Sequence, residues 1–416
     1  MYIKIVGITH LTGLQLINWV MAKSKNKYSK LLQLCAVGLL IGISQACASN
    51  SNNFKQNQKP DRNSQSTSTT STTLLAKSSQ NNTENTTDNL GTSLKTSIPT
   101  PIKEFLTQLP PTKREVLNKR WERLRNFAES QGFKVGPSSA LGRSIDQLAG
   151  TQIPANLTEL AKQQNFRARE ILDNLEQSPG QRFSSCSADA VTFDWRDSGI
   201  VTPVRDQGEC GSCWAFAALA AFESSTLYHN NLTYSQVGGI VDGSEQHLLN
   251  CSGAGSCKGG WYGPVFDFMI DKGNLPERVF RYQGEEKVCR FQRNSPVKAA
   301  TWGYVSDDGG IPSVSEMKQA LCKHGPIVST VHMTDAFNAY KSGVFNENAF
   351  GSPNHAITII GWDDQKGAWL LKNSWGTDWG EDGYMWIDYN SNRIGYAAAW
   401  VDARKYRIPR GNVSSQ

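Results

Sequence analysis

Cys213 is the residue from which chemistry can first be read. It closes the stretch Gln207-Gly208-Glu209-Cys210-Gly211-Ser212-Cys213 and is followed by Trp214-Ala215-Phe216. From Cys213 to Tyr228 the chain is rich in Ala, Phe and Leu and holds no Gly or Pro. That run predicts a helix, with Phe216, Leu219, Ala220 and Leu227 supplying an apolar face. A thiol at a helix N-terminus meets unpaired N–H groups and the positive end of the macrodipole, and both favour the thiolate. A nucleophilic thiolate needs a base, and the base needs something to orient it. His355 follows Gly351-Ser352-Pro353-Asn354 and opens the apolar run Ala356–Trp362, which places it at the mouth of a buried strand. Asn373 ends a second strand-like run, Trp369–Lys372, and precedes Ser374-Trp375-Gly376. Cys210 and Cys213 also form a C-x-x-C pair, and thiol–disulfide exchange sites likewise sit at helix starts. That reading leaves Gln207, His355 and Asn373 without a task. Thioredoxin-like sites also place Trp before the first Cys, whereas Trp214 follows the second.

The elements that would position these residues lie C-terminal to Thr192, where Trp, Gly and Cys become dense and short apolar runs alternate with glycine turns. Across about residues 190–403 the chain resembles the papain family of cysteine peptidases, of the cathepsin type. The resemblance rests on Cys210-Gly211-Ser212-Cys213-Trp214, with His355 and Asn373 lying 142 and 160 residues beyond Cys213. It implies an α+β fold of two subdomains around a cleft. One would be helical and carry Cys213; the other would be β-barrel-like and carry His355 and Asn373. A helical propeptide would precede them.

The resemblance also implies roles. Cys213 would be the nucleophile, and His355 would take its proton and later give one to the leaving amine. Asn373 would fix the imidazole tautomer. Gln207 would complete the oxyanion hole with the backbone N–H of Cys213. Trp375 would shield the Asn–His hydrogen bond. Lys258-Gly259-Gly260 would bind the backbone of an extended substrate, glycine allowing close approach. Pro353, Asn354 and Ala399 would line the pocket for the second residue before the scissile bond. The reaction would be amide hydrolysis through a thioester acyl-enzyme, with a bell-shaped pH profile and no metal or organic cofactor. No inserted loop closes the cleft, so an endopeptidase acting on proteins or peptides, as a monomer, is the expected form. A papain-like fold used only for binding is the alternative, and the four filled catalytic positions count against it.

Seven cysteines follow the N-terminal segment. Setting Cys213 aside leaves six, enough for three disulfides in an oxidising compartment, with 15 pairings open. The resemblance implies Cys210–Cys257 and Cys251–Cys289. Cys186–Cys322 is then the remaining pair, and it departs from the family's usual third bridge.

The rest of the chain reads as a route to that domain. Lys23, Lys25, Lys27 and Lys30 precede an apolar run from Leu31 to Ile43, and Ala46-Cys47-Ala48 follows. This is the order of a secretory signal, and the run is too short to span a bilayer comfortably. Met21 would give a tidier start. Two exits compete: cleavage after Ala48, giving a signal segment 1–48, or acylation of Cys47 as a lipoprotein, with a membrane tether. Ser44 stands where a lipoprotein box usually has Leu. The product would be secreted, periplasmic or lipid-anchored. Residues 49–100 are Ser, Thr, Asn and Gln with almost no large apolar side chains, and read as a flexible linker.

Residues 101–185 become periodic again. Arg114–Phe127 (Val116, Leu117, Trp121, Leu124, Phe127) and Leu157–Leu175 (Leu160, Ala161, Phe166, Ile171, Leu175) are helix candidates, separated by Gly136-Pro137-Ser138-Ser139 and Pro154. Beside the peptidase-like part (186–416), this segment has the length and helicity of an inhibitory propeptide. The family's Glu-Arg-Phe-Asn-Ile-Asn spacing is absent from it. Maturation is expected within 176–190, around Ser178-Pro179-Gly180. Net charge is +6 overall, but residues 48–186 carry 18 basic and 12 acidic groups against 20 and 25 in 187–416. Opposite signs allow the two to face each other. Docking driven by charge would weaken at low pH. No stretch has the clustered basic charge of a nucleic-acid binder.

Overall fold

A computed structural model describes residues 111–174, 186–290 and 294–405. The export signal, the Met21 start, Cys47, the linker 49–100 and the expected maturation region 176–185 lie outside the described residues.

The longer helices are α1 (Pro111–Gln131), α2 (Leu157–Asn174), α3 (Cys213–His229), α4 (Tyr262–Asp271) and α5 (Val314–His324). One eight-stranded sheet is built from β1 (Thr192–Asp194), β2 (Ala299–Tyr304), β3 (Ile327–Val331), β4 (Val344–Phe345), β5 (His355–Asp363), β6 (Ala368–Lys372), β7 (Tyr384–Asp388) and β8 (Tyr396–Ala403). Its spatial order is β2-β8-β3-β5-β6-β7-β4, with β1 pairing onto β5. The path is open rather than closed on itself. Its pairings are antiparallel except β7 with β4. This is the expected mixture of a helical part and a sheet part, with Cys213 on the first and His355 and Asn373 on the second.

α3 is buried on all sides, its apolar first half followed by the buried polar residues Glu223–Thr226 and His229, which marks a helix enclosed by protein rather than one with a solvent face. Of its 17 residues only Ala220 is not buried. One flank packs on β5 and β8, the other on α4. Its apolar residues join Leu248, Tyr262, Phe266, Trp302 and Val401 in one core cluster. A second cluster lies across the sheet around Trp195, Leu321, Phe337, Trp362, Trp369 and Trp379. α5 starts with a capping box: Glu316 N donates to Ser313 Oγ at 3.2 Å, and Ser313 N donates to Glu316 Oε2 at 2.7 Å. Three disulfides are formed: Cys186–Cys322, Cys210–Cys257 and Cys251–Cys289. Cys213 is a free thiol.

The two helices before residue 180 form, but not with the faces that periodicity assigned. In α1, Val116 is 62% exposed and Phe127 is 38% exposed, while Ala128 is buried. In α2, Phe166 is 60% exposed and Ile171 is 38% exposed, and Leu175 lies outside the described residues. The buried face of α2 is Leu157, Ala161, Gln164, Asn165 and Ala168. The reason is the partner. α2 covers β2, the edge strand of the sheet, and an edge strand offers unpaired backbone groups as well as apolar side chains. Gln164 Nε2 donates to Trp302 O at 2.6 Å, and Tyr304 N donates to Asn165 Oδ1 at 2.7 Å. Two amides therefore occupy the face that an apolar stripe was expected to hold.

Candidate active site

Cys213 opens α3 and is fully buried. Burial pushes its thiol up, but the His355 charge, hydrogen bonding from His355 and Thr151, and the Ala356 backbone together pull it down to about 7. His355 opens β5 and is also fully buried. Asn373 directly follows β6, the neighbour of β5, so the antiparallel pairing of those two strands brings the two side chains together. His355 Nε2 and Asn373 Oδ1 are 2.8 Å apart. An amide oxygen only accepts, so Nε2 carries the proton and donates it. That leaves the other ring nitrogen, Nδ1, for the thiol. Trp375 stacks on the imidazole, ring centroids 4.7 Å apart and planes 30° from parallel. Trp375 is itself fully buried, held edge-on by Trp379 and Phe337. It closes one face of the His–Asn bond to water.

Gln207 is fully buried, and its backbone N donates to Ser374 O at 2.9 Å. Its side chain is aimed by Ser374, whose Oγ donates to Gln207 Oε1 at 2.7 Å. The amide nitrogen is thereby turned towards the cleft. It donates to Cys210 O and Gln147 O, both at 3.0 Å, and to Leu148 O at 3.3 Å. Tyr282 props the same loop: its OH donates to Gln207 O at 2.9 Å and lies 2.7 Å from Ser212 Oγ.

Residues 139–154 of the same chain run the length of the cleft. Ser139 N donates to Asp378 Oδ2 at 2.6 Å. Arg143 makes two 2.7 Å bonds to Asp206, one to each carboxylate oxygen. Gly150 N donates to Cys213 Sγ at 3.2 Å, and Thr151 Oγ1 is 3.4 Å from the same sulfur. Thr151 N donates to Asn354 O at 2.9 Å. Gly260 N donates to Gly150 O at 2.8 Å, and Gln152 N donates to Gly260 O at 2.9 Å. This last pairing is parallel. Gly259 sits at φ +121°, and a Cβ there would lie 2.7 Å from Gly150 O. A side chain at Gly260 would lie 2.6 Å from Ala254 O. Gly259 is thus required by the passing segment, and Gly260 by its own hairpin and Trp214. Pro353 borders a hollow with Thr151, Ile153, Pro154, Arg393 and Tyr396. Ala399 is fully buried on β8, paired with Tyr304 and Val328, in the core cluster that Ile153 packs against.

The sequence motifs did not single out Thr151, Ser374, Tyr282 or the Arg143–Asp206 pair. Ser374 adjoins Asn373 and stood within reach of the motif. Arg143 and Asp206 are 63 residues apart with no shared pattern, and nothing in the sequence joins them.

The family model described as papain family cysteine protease matches residues 190–402, half of the chain. Zingipain-2 of Zingiber officinale is 35% identical over 205 residues, which is 48% of this chain and 87% of that protein. Cathepsin L of Sarcophaga peregrina is 36% identical over 219 residues, 50% of this chain and 62% of that protein, so this match spans less than two thirds of the relative. Among solved structures, digestive procathepsin L2 from Tenebrio molitor larval midgut aligns with a TM-score of 0.57 at 26% identity, covering 73% of this chain and 98% of that one. The last alignment therefore reaches beyond the 190–402 region.

Proposed function

The chain belongs to the papain family of cysteine proteases, and from that premise we propose that it is a cysteine endopeptidase held latent by its own residues 101–185. The observation that carries the reading is the buried Cys213 thiol, drawn to about 7 by an imidazole whose other edge is tied to Asn373 at 2.8 Å.

The proposed chemistry follows from those contacts. The thiolate of Cys213 attacks the scissile carbonyl carbon. The oxygen that becomes negative is received by the Gln207 amide and the Cys213 backbone N–H. His355, protonated by the thiol, returns that proton to the leaving amine, and the acyl group remains on sulfur as a thioester. Water, deprotonated by the same imidazole, then releases the acid. Asn373 keeps Nε2 protonated throughout, so Nδ1 is the nitrogen that exchanges protons with sulfur and substrate. Trp375 keeps water from competing for the Asn373 oxygen.

Latency is supported by the course of 139–154. Gln207 already donates to peptide carbonyls of this segment, and Gly150 caps the sulfur. The Gly260 pairing is parallel, so the segment runs through the cleft in the direction opposite to an antiparallel-paired substrate and presents no carbonyl for attack in the productive sense. Removal of the segment, with cleavage in 176–190, would open the site. Export through residues 1–48 and a tether in 49–100 belong to the same proposal. Among the described residues, no helix is long and apolar enough to cross a membrane.

The test is hydrolysis of a panel of dipeptidyl fluorogenic amides, with thiol present, by the acid-processed full chain. The processed wild type is expected to be active, and Cys213→Ser inactive although its Cys210–Cys257 bridge is intact. Processed wild type that hydrolyses none of the panel, and whose Cys213 alkylates no faster than a free thiol, would overturn the reading in favour of a non-catalytic binder. Restoration of scrambled disulfides by that same protein would instead favour a thiol–disulfide oxidoreductase.

A further inference from the structure

The contacts of the 139–154 segment map the cleft in order. Gln152 meets Gly260, Gly150 and Thr151 meet Cys213, Gln147 and Leu148 meet Gln207, Arg143 meets Asp206, and Ser139 meets Asp378. Gly259, Gly260 and Pro353 mark the side that takes residues before the scissile bond. Asp206 and Asp378 therefore stand on the far side of Cys213, where the leaving-group half of a substrate lies. That end of the cleft is acidic. Asp206, Asp378 and Glu209 all act on the Arg143 guanidinium, the Asp206 bond most strongly. Lys341 Nζ donates to the backbone oxygen Asp378 O at 3.2 Å.

A seated occupant shows what this end can hold. The Arg143 fork meets Asp206 bidentately, with both N–O distances 2.7 Å, and its side chain is only 13% exposed. The carboxylate is aimed for this by the backbone: Gly208 N donates to Asp206 Oδ1 at 2.8 Å. The planar, two-bond match is what distinguishes guanidinium recognition from general attraction between charges.

Resting on the peptidase reading above, we propose that Asp206 and Asp378 form a subsite that selects substrates with arginine two to four residues after the scissile bond, and that Arg143 fills this subsite in the latent chain. The preferred substrate is thus a protein with a basic stretch downstream of the cut. Arg143 is a positioning residue of latency, and the same carboxylates serve specificity once the segment is gone.

The test uses internally quenched peptides with one fixed sequence before the scissile bond. Arg, Ala or Glu is placed at the second, third or fourth residue after it. The acid-processed full chain is expected to cleave the best Arg peptide with a kcat/KM about 10-fold above its Ala counterpart, the scale of one charge-assisted bidentate contact, and to disfavour Glu. The Arg-to-Ala ratio should fall towards one in Asp206→Asn and decline part-way in Asp378→Asn. In the unprocessed chain, Arg143→Glu should release latent activity faster than wild type, which keeps the proposal open to test if Asp206→Asn does not fold. Cleavage of all peptides with equal kcat/KM for Arg, Ala and Glu at every position would overturn the subsite and leave the peptidase reading standing. No cleavage of any peptide would overturn both.

Discussion

Gly150 N points its hydrogen at Cys213 Sγ, 3.2 Å away. The proposed nucleophile is thereby capped by a backbone group from a segment 63 residues earlier. This approach is possible only for glycine: a Cβ on residue 150 would lie 1.8 Å from Gly211 O and 2.5 Å from Gly211 C. Those are backbone atoms of the loop that carries the cysteine motif, and they cannot turn aside as a side-chain tip would.

Gly150→Val should therefore lift the segment from the thiol without touching the peptidase part. Overpacking of this kind costs about 1–3 kcal/mol, or about 5- to 150-fold in an equilibrium. The full-length variant is expected to alkylate at Cys213 that much faster than wild type at the same pH. It should also process without acid treatment. A variant as inert to alkylation as wild type would mean that the Gly150 contact does not hold the segment down.

The two amide side chains of the site predict different losses. Asn373 acts through His355, so Asn373→Ala frees the ring to turn and to change tautomer. Misplacement of a catalytic group by about 1 Å costs on the order of 100-fold, and kcat should bear it with KM little changed. In the proposed mechanism Gln207 donates to the developing negative charge, and removal of such a donor by Gln207→Ala should cost about 100- to 1000-fold in kcat. Ser374→Ala should reproduce part of the Gln207 loss, because Ser374 Oγ is what aims Gln207 Oε1. If Ser374→Ala matched wild type in kcat while Gln207→Ala did not, the aiming role would be wrong.

What was legible in the sequence follows a pattern. Cys213, His355, Asn373 and Gln207 could be picked out because each sits in a local motif whose residue types suit the proposed chemistry, and the fold brings them together. α3 was legible because its run is rich in Ala, Phe and Leu and unbroken by Gly or Pro. The faces of α1 and α2 were not, because periodicity assumes that a helix docks on something apolar. α2 docks on a strand edge, and an edge is satisfied by Gln164 and Asn165, which a hydrophobic pattern counts as solvent-facing. Phe166 and Ile171 consequently read as core and are exposed. The Arg143–Asp206 pair is a contact between segments that only the fold brings together.

A buried ionic group beneath the site predicts how stability depends on pH. Glu223 on α3 accepts from Thr202 Oγ1 at 2.6 Å and from Gly243 N at 2.7 Å, and Lys372 Nζ donates to Thr202 Oγ1 at 3.0 Å. Burial raises Glu223 to about 7 despite the Lys372 charge, and burial lowers Lys372 to about 8. Between the ordinary glutamate value of 4.5 and about 7, the folded chain keeps a proton on Glu223 that the unfolded chain gives up. The stability this contributes is full below 4.5 and lost as pH rises through about 7. Glu223→Gln stays neutral and lacks that loss. Its Tm should lie below wild type at pH 5, because one acceptor is gone, and the gap should narrow towards pH 8. A gap that is constant with pH would show that Glu223 does not titrate in this window.

Cys186–Cys322 closes a loop of sequence separation 136 and ties the start of the peptidase part to the last turn of α5. A bridge over so long a loop stabilises chiefly by restricting the unfolded chain. Removing both sulfurs as Cys186→Ser with Cys322→Ser should lower unfolding stability by about 2–5 kcal/mol. The loss is read from urea unfolding, with amidase activity at low temperature little changed. Equal midpoints for wild type and the double variant would refute the contribution.

Gln164 and Asn165 are each 7% exposed and each satisfies a backbone group of β2. Asn165 Nδ2 also donates to Asp307 Oδ1 at 2.8 Å. Replacing both by leucine preserves bulk and adds apolar surface, so a hydrophobic account of the docking predicts tighter binding. The hydrogen-bond account predicts the reverse: Trp302 O and Tyr304 N lose their partners in a water-poor interface, and an unsatisfied buried group costs about 1–3 kcal/mol. In the full-length chain, Gln164→Leu with Asn165→Leu should speed protease nicking within α2 and hasten release of latent activity at acid pH. Phe166→Ser, one residue on but 60% exposed, should leave both rates within about two-fold of wild type, as surface substitutions usually do. Slower nicking in the double leucine variant would establish that apolar contact, not pairing with the strand edge, holds α2 in place.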